Sequence, residues 1–240
     1  MRERLIPERY RFLSGSGLKT IAALAMLADH AGFVLFTQNP VRLFTLFRHS
    51  ISVYMILRLV GRIAFPVYCF LLVEGFLHTG NRIRYAIRLF VFALVSEIPY
   101  NLMMKGTVWY PSAQNVFFTL FLGLSGMILF DRWRDRLPLQ AAALLGLFLI
   151  ASFGRLDYGA SGFSFIMMLY FLRDYPLPRA IVGAGLLGSR WQAGLAFVPI
   201  AFYNGKRGYL KGPVLKYAFY AFYPVHILIL YYMKTKLIGI

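Results

Sequence analysis

Ile21-Ala22-Ala23-Leu24-Ala25-Met26-Leu27-Ala28-Asp29-His30-Ala31-Gly32-Phe33-Val34-Leu35-Phe36 is an apolar run with an acid and an imidazole set into it. The run around it, 18–37, is long enough to span a bilayer. A charge at that depth costs several kcal/mol, at least roughly 2.5, and survives where it faces a cavity, carries a proton or locks helices together. The same pattern recurs along the chain. Glu74, His78, Glu97, Asp157 and His226 all lie in stretches that otherwise read as membrane-spanning helices. The expectation is an all-α, polytopic membrane bundle with a polar interior site.

Composition agrees with this reading. Of the 240 residues 59% are hydrophobic, against about 45–50% in soluble domains. There is no linker, low-complexity tract or soluble domain, so residues 1–240 read as one membrane domain behind a basic segment, 1–17. No internal repeat is visible, which weighs against an inverted-repeat transporter. Lys and Arg number 26 against 9 Asp and Glu. In a soluble protein this excess would suggest nucleic acid. Here the cations are scattered over short loops, where they set topology and meet anionic lipid, so no nucleic-acid partner is expected. Cys69 is the single cysteine, which excludes an intramolecular disulfide. No cleavage site follows the first run, which is therefore read as a retained helix.

Apolar runs between breakers give spans at 18–37, 57–79, 83–104, 114–131, 138–153, 157–173 and 214–235, with a semi-polar interfacial stretch at 40–56. Residues 179–203 read either as one helix or as two short ones broken at Gly188-Ser189-Arg190. Charge decides between them. With a cytoplasmic amino terminus and a hairpin over 179–203, inside loops hold 17 Lys and Arg and outside loops eight, with Arg62 left in a span. A single crossing would move the Lys206–Lys216 loop outside and spoil that bias. About nine spans follow (eight to ten), amino terminus in and carboxyl terminus out, in the cytoplasmic (inner) membrane. The short pair is re-entrant if it does not cross.

This topology gives each polar residue a depth. Asp29, His30 and His226 fall near the midplane, Glu97 further outward, and Arg62, Asn115 and Asp157 at outer helix ends. Glu74 and His78 are spaced i, i+4 on one face near the cytoplasmic side, with Arg82 one turn on. Every one of these residues has a structural alternative. His30 can be a hydrogen-bonded packing residue, and Asp29 can pair with Arg62 or lock another helix. Glu74 and Glu97 can be arginine partners. Asp157, before Tyr158-Gly159, can cap a helix start. His226 can bond a carbonyl freed by Pro224. His49 reads as surface.

HExxH, a zinc-spaced Cys/His cluster, GxSxG, a Walker loop and the dinucleotide GxGxxG are all absent, so no metal is expected and a hydrolase or ATP-driven pump is unsupported. What remains is an acid–base site of His and carboxylates inside a membrane. Neutral imidazole is cheaper to bury than a carboxylate, and neutral is the form that accepts a proton. A proton-coupled transporter and a non-catalytic assembly or chaperone subunit stay open as alternatives.

Met26-Leu27-Ala28-Asp29-His30, Gly61-Arg62-Ile63-Ala64-Phe65-Pro66 and Glu74-Gly75-Phe76-Leu77-His78-Thr79 come in succession. Ser96-Glu97-Ile98-Pro99-Tyr100-Asn101, Gln114-Asn115-Val116-Phe117-Phe118-Thr119 and Asp157-Tyr158-Gly159 follow. Tyr203-Asn204-Gly205-Lys206-Arg207-Gly208 and Tyr223-Pro224-Val225-His226 close the series. This succession, over roughly 18–232, resembles the TraX family. The family's named member acetylates the amino-terminal residue of conjugative pilin. The family is also similar to membrane acyltransferases such as heparan-glucosaminide acetyltransferase, which pass acyl groups from cytoplasmic acyl-CoA across the membrane.

The resemblance implies transfer of acetyl from acetyl-CoA to an amine or hydroxyl of a polypeptide, sugar or other small acceptor. On that basis His30 is the expected base, oriented or balanced by Asp29 or Glu97, with His226 as a second catalytic histidine. Asn115 and Arg62 are expected oxyanion or structural donors. Arg82, Arg84, Lys206 and Arg207 are expected to hold the phosphates of CoA, with Glu74 and His78 at the thioester entrance and Asp157 and Tyr158 toward substrate. The oligomeric state, monomer or homodimer, is left open.

Overall fold

The computed structural model describes residues 6–37, 41–46, 49–210 and 212–238. Arg2, Arg4, Arg48 and Lys211, used above for orientation, lie outside the described residues, as do the side chains of His49 and Arg190.

Among the described residues the fold is all-α apart from one β-hairpin. Among the described residues four helical stretches are long and apolar enough to cross a membrane by length and composition: Gly15–Phe36, Val53–His78, Arg82–Lys105 and Val214–Lys236. Leu137–Phe153, Gly159–Phe171 and Gln192–Ala201 are apolar but shorter.

The helix α1 spans Gly15–Phe36. Ser14 caps it, its Oγ accepting from Gly17 N at 3.2 Å. The semi-polar stretch that follows holds an antiparallel hairpin, β1 (Arg42–Leu46) and β2 (His49–Ser52). Ser52 then caps α2 (Val53–Gly61), accepting from Met55 N at 3.3 Å. A turn at Arg62–Ile63 separates α2 from α3 (Ala64–His78). Pro66 accounts for it, since it has no N–H for the Arg62 carbonyl and its ring crowds that carbonyl. Next come α4 (Arg82–Lys105, with Pro99 inside), α5 (Val116–Arg132), α6 (Leu137–Phe153) and α7 (Gly159–Phe171). The 179–203 stretch does break. Helix α8 (Pro176–Leu186) gives way to a 3₁₀ stretch, Gly188–Ala196, and a short α9, Phe197–Ala201. Helix α10 (Pro213–Met233) carries Pro224 and ends in a π turn.

Contacts divide the chain into two compact units. One comprises Cys69–Asn101 and Thr107–Gly188; the other comprises Ile6–Tyr68, Leu102–Gly106 and Ser189–Ile240. In the first, α5, α6 and α7 pack on one another and α8 on α7. Gly123 and Gly126 let α5 approach Ile166, Phe163 and Met167 of α7, the small-residue contact that membrane helices use in place of a hydrophobic drive.

In the second unit α1 packs on α2 and α10. A clasp holds the start of α1. Gly15 N and Ser16 N donate to the carbonyls of Lys206 and Arg207 at 2.8 and 2.9 Å, and Leu210 N donates to Ser16 Oγ at 2.9 Å. Gly208 sits there with φ +86°, and a Cβ on it would strike Ser14 Oγ. The first turn's orphan amides are thereby satisfied by chain from 190 residues away. At Gly61 a Cβ would overlap Cβ, Oδ1 and Cα of Asp29, so α1 and α2 touch backbone to backbone at that point.

Gly61→Ala is therefore expected to destabilise the purified protein by about 1–3 kcal/mol through overpacking. Gly146→Ala in α6, where a Cβ meets nothing within 4 Å, should be neutral or stabilising. Thermal unfolding in one detergent checks the pair.

Candidate functional site

In the second unit two of the expected site residues meet. His30 Nδ1 and His226 Nε2 are 2.7 Å apart, with the ring planes 8° from parallel. His226 Nδ1 lies 2.6 Å from the Phe222 carbonyl oxygen. Roles follow from what each atom can do. A carbonyl only accepts, so His226 Nδ1 carries the proton. In a neutral ring Nε2 of His226 is then an acceptor, and His30 must donate to it from Nδ1. His30 Nε2 is left with its lone pair free, and no hydrogen bond reaches it among the described residues. The second ring nitrogen's partner sets the tautomer of the first, here through two rings in series.

Sequence explains how the pair is held. His226 is four residues after Phe222 on α10, so its side chain folds back on that carbonyl. This is not the Tyr220 carbonyl, the one whose helical donor Pro224 removes. His226 is 4% exposed, and Phe222 and Tyr223 pack against it with centroids at 4.7 and 5.9 Å. Tyr223 also meets His30 edge-on at 5.8 Å.

Asp29 is directed elsewhere, as the roughly 100° between adjacent helical residues requires. Its Oδ2 pairs with Arg58 Nη1, one turn before Arg62. The sequence reading assigned Arg58 to an outside loop. The cap at Ser52 starts α2 four residues ahead of the expected 57–79 span, so Arg58 lies within the helix and not at its edge. Arg58 also stands over Phe33 at 5.6 Å. No sequence signal links residues 29 and 58. Arg62 lies in the α2–α3 turn, where its N–H reaches the Arg58 carbonyl at 3.2 Å.

Lys206 and Arg207 are exposed beside the start of α1. The charges of Arg207 and Lys216 both act on Lys19, so like charges gather at this end. Tyr209 Oη and Thr20 Oγ1, 2.8 Å apart, close its polar lining. Lys19 and Lys216 entered the sequence reading only as topology charges.

The first unit holds a separate group. Asn115 caps α5 through Oδ1, which accepts from Phe117 N at 3.1 Å. Its Nδ2 donates to the Ala93 carbonyl at 2.8 Å and to Glu97 Oε2 at 2.6 Å. Cap, strap and carboxylate donor are thus one side chain, which only an amide of this length can be. Glu97 and exposed Asp157 both act electrostatically on Tyr100. Tyr158 begins α7. Buried Ser96 Oγ, Asn101 Oδ1 and Thr119 Oγ1 have no hydrogen-bond partner among the described residues.

Arg82 pairs with Asp131, which Arg134 also approaches at 3.6 Å, and it lies over Phe76 at 4.2 Å. Phe76 in turn packs on Tyr170. Arg84 is exposed. His78 is 65% exposed at its side chain and bonds back to the Glu74 carbonyl at 2.8 Å, with Glu74 Oε2 at 3.9 Å.

The family model described as "TraX protein" matches residues 14–234. The chain is 30% identical over 243 aligned positions to a "Probable fimbrial assembly protein FimC, serogroup H1" of Dichelobacter nodosus, covering 89% of this chain and 92% of that protein. No solved structure matches. The match runs through both histidines, both polar groups and the α1 clasp, and the chain belongs to the TraX protein family.

Proposed function

We propose that the protein is an integral-membrane acetyltransferase that moves acetyl from cytoplasmic acetyl-CoA to an amine or hydroxyl at or across the membrane. The acceptor is a polypeptide amine, in keeping with the family, or a sugar or other small acceptor. The observation that carries this reading is the directed hydrogen-bond series from the Phe222 carbonyl through His226 to His30, which leaves a basic nitrogen in an apolar setting. As the acceptor attacks the thioester carbon, its proton passes to His30 Nε2. The collapsing intermediate expels CoA thiolate, which takes that proton back. His226 stabilises the transient imidazolium through Nε2 and fixes the ring.

The donor's phosphates are assigned to the exposed cations at the α1 start, Lys206 and Arg207, with Lys19 and Lys216 beside them. Arg82 is occupied by Asp131. The topology proposed is nine spans in the inner membrane, amino terminus cytoplasmic, counting α2–α3 as one and the stretch on each side of the Leu187 break as one each. Anionic lipid faces the basic loops. A second reading, a non-catalytic assembly subunit, has in its favour the name of the Dichelobacter relative.

His30→Ala is expected to cut transfer of radiolabelled acetyl from acetyl-CoA to a panel of peptide amines and amino sugars by roughly 10²–10⁴-fold, with the protein still folded in the membrane. His226→Phe should lose less, because it frees the tautomer and leaves the base. Full turnover in His30→Ala removes it as base. An assembly phenotype that persists without His30 and without acetyl transfer selects the second reading.

Lys206→Ala with Arg207→Ala should raise the apparent KM for acetyl-CoA and leave that for the acceptor unchanged. The difference should shrink at high salt, because exposed phosphate contacts are screened. Arg82→Ala should instead lower the melting temperature. A KM change confined to the acceptor moves the donor elsewhere.

Cysteines at Gly205 and Ile240, in a Cys69→Ser background, should label from opposite faces with an impermeant reagent. Labelling from one face refutes the crossing by α10.

A further inference from the structure

Arg58 is a cation inside a membrane-spanning helix that topology does not explain and the histidine series does not use. Its side chain is 22% exposed and that of Asp29 20%. Asp29 takes Nη1, while Nε is enclosed and has no hydrogen-bond partner among the described residues. A guanidinium fork can set Nε and one Nη on the two carboxylate oxygens. Here the pair is one-sided, and a strong donor is left uncommitted where an unmet donor is costly.

Its position is fixed from three sides. Phe33 lies under the guanidinium and Asp29 grips it; these two are one helical turn apart on α1. Close approach at Gly61, and at Gly32 where a Cβ would meet Leu57 Cβ at 2.9 Å, leaves α2 no room to shift. His30 sits between Asp29 and Phe33 in the same turn, and the Arg58 charge acts on its ring.

Resting on the acetyltransferase reading, we propose that Arg58 is a catalytic residue that donates to the thioester carbonyl oxygen and holds the charge that develops there. When the acceptor X–H attacks, the C–X bond forms and the carbonyl π pair moves to oxygen, facing Arg58. The proton goes to His30 Nε2. The C–S bond then breaks, the C=O is restored, and CoA thiolate takes the proton from His30. Asp29 acts through Arg58. It fixes the guanidinium and offsets its charge, so the donor needs no reorganisation during the step. Two adjacent residues, Asp29 and His30, thereby serve opposite sides of one reaction, which their divergence on the helix permits.

The test uses the full-length protein in nanodiscs with radiolabelled acetyl-CoA and a panel of a peptide with a free amino terminus, glucosamine and glycerol as acceptors. Arg58→Lys keeps the charge and loses the fork. It should retain its melting temperature and its KM for acetyl-CoA within about threefold, and lose kcat by roughly 10²–10³-fold. The exchange Asp29→Arg with Arg58→Asp should regain the melting temperature lost in either single variant while turnover stays lost. Recovery of kcat together with stability in the exchange, or unimpaired kcat in Arg58→Lys, overturns the proposal and makes the pair a helix lock. Should the exchange fail to fold, Arg58→Lys decides alone. A wild-type protein that acetylates none of the three acceptors removes the acetyltransferase reading, and this inference with it. That outcome is distinct from an active enzyme indifferent to Arg58.

Discussion

The hydrogen bond from His226 Nδ1 to the Phe222 carbonyl orders the chemistry around it. A carbonyl in an apolar helix has no alternative role: it accepts. The proton on Nδ1 is thereby fixed, Nε2 becomes an acceptor, and His30 must turn its own N–H inward. Nothing downstream is adjustable while both rings stay neutral, and neutral is the state an apolar interior favours. The consequence is a ring nitrogen, His30 Nε2, whose lone pair points away from its support. It comes from one backbone group, with no carboxylate in the series.

The polar side chains elsewhere obey the same constraint, each settled within its own unit. Glu97 is met by an asparagine that also caps a helix and straps the Ala93 carbonyl. Asp131 draws in Arg82, whose guanidinium also covers Phe76 in an aromatic group with Tyr170 and Phe130. Aromatic faces here do what water does at a surface, screening a cation without a second acid. Arg58 Nε and Thr119 Oγ1 stand outside this pattern, enclosed without a hydrogen-bond partner among the described residues.

Much of this was legible in the sequence. Apolar runs place α1, α4, α6 and α10 within a few residues of their observed ends, since composition and length decide a membrane helix. The reading failed where local chemistry overrides hydropathy. Ser52 caps α2 four residues ahead of the expected 57–79 span, and Arg42–Leu46 pairs with His49–Ser52 in a hairpin whose alternation is too short to stand out. After Leu186 the chain winds as 3₁₀, which has no hydropathy signature. His30 and His226 could be matched by depth, because the sequence reading ran both helices in the same direction and put each histidine at a similar distance from its helix start. The partner of Asp29 could not. Arg58 and Arg62 are one turn apart in the expected 57–79 span, and only the observed break at Arg62–Ile63 tells them apart. The threefold role of Asn115 was equally hidden, since a cap and a carboxylate donor look alike as a single Asn.

The basic excess also reads differently once α1 is followed from end to end. Topology asks only that cations be present in inside loops; it does not ask that they crowd. At the start of α1 they do, with Arg207 and Lys216 acting on Lys19 and Lys206 exposed alongside. Like charges at close range repel, and the clasp that brings residues 206 and 207 there is built from backbone hydrogen bonds, which are indifferent to side-chain sign. The chain could have satisfied the α1 amides with neutral residues. Placing cations on the clasp puts an anion-attracting mouth on the same helix as His30, eleven residues or roughly 16 Å along its axis. That separation suits a donor with phosphates at one end and a thioester at the other, joined by an extended pantetheine arm. In the acyl-transfer reading proposed above, α1 spans the distance between the two ends of such a donor.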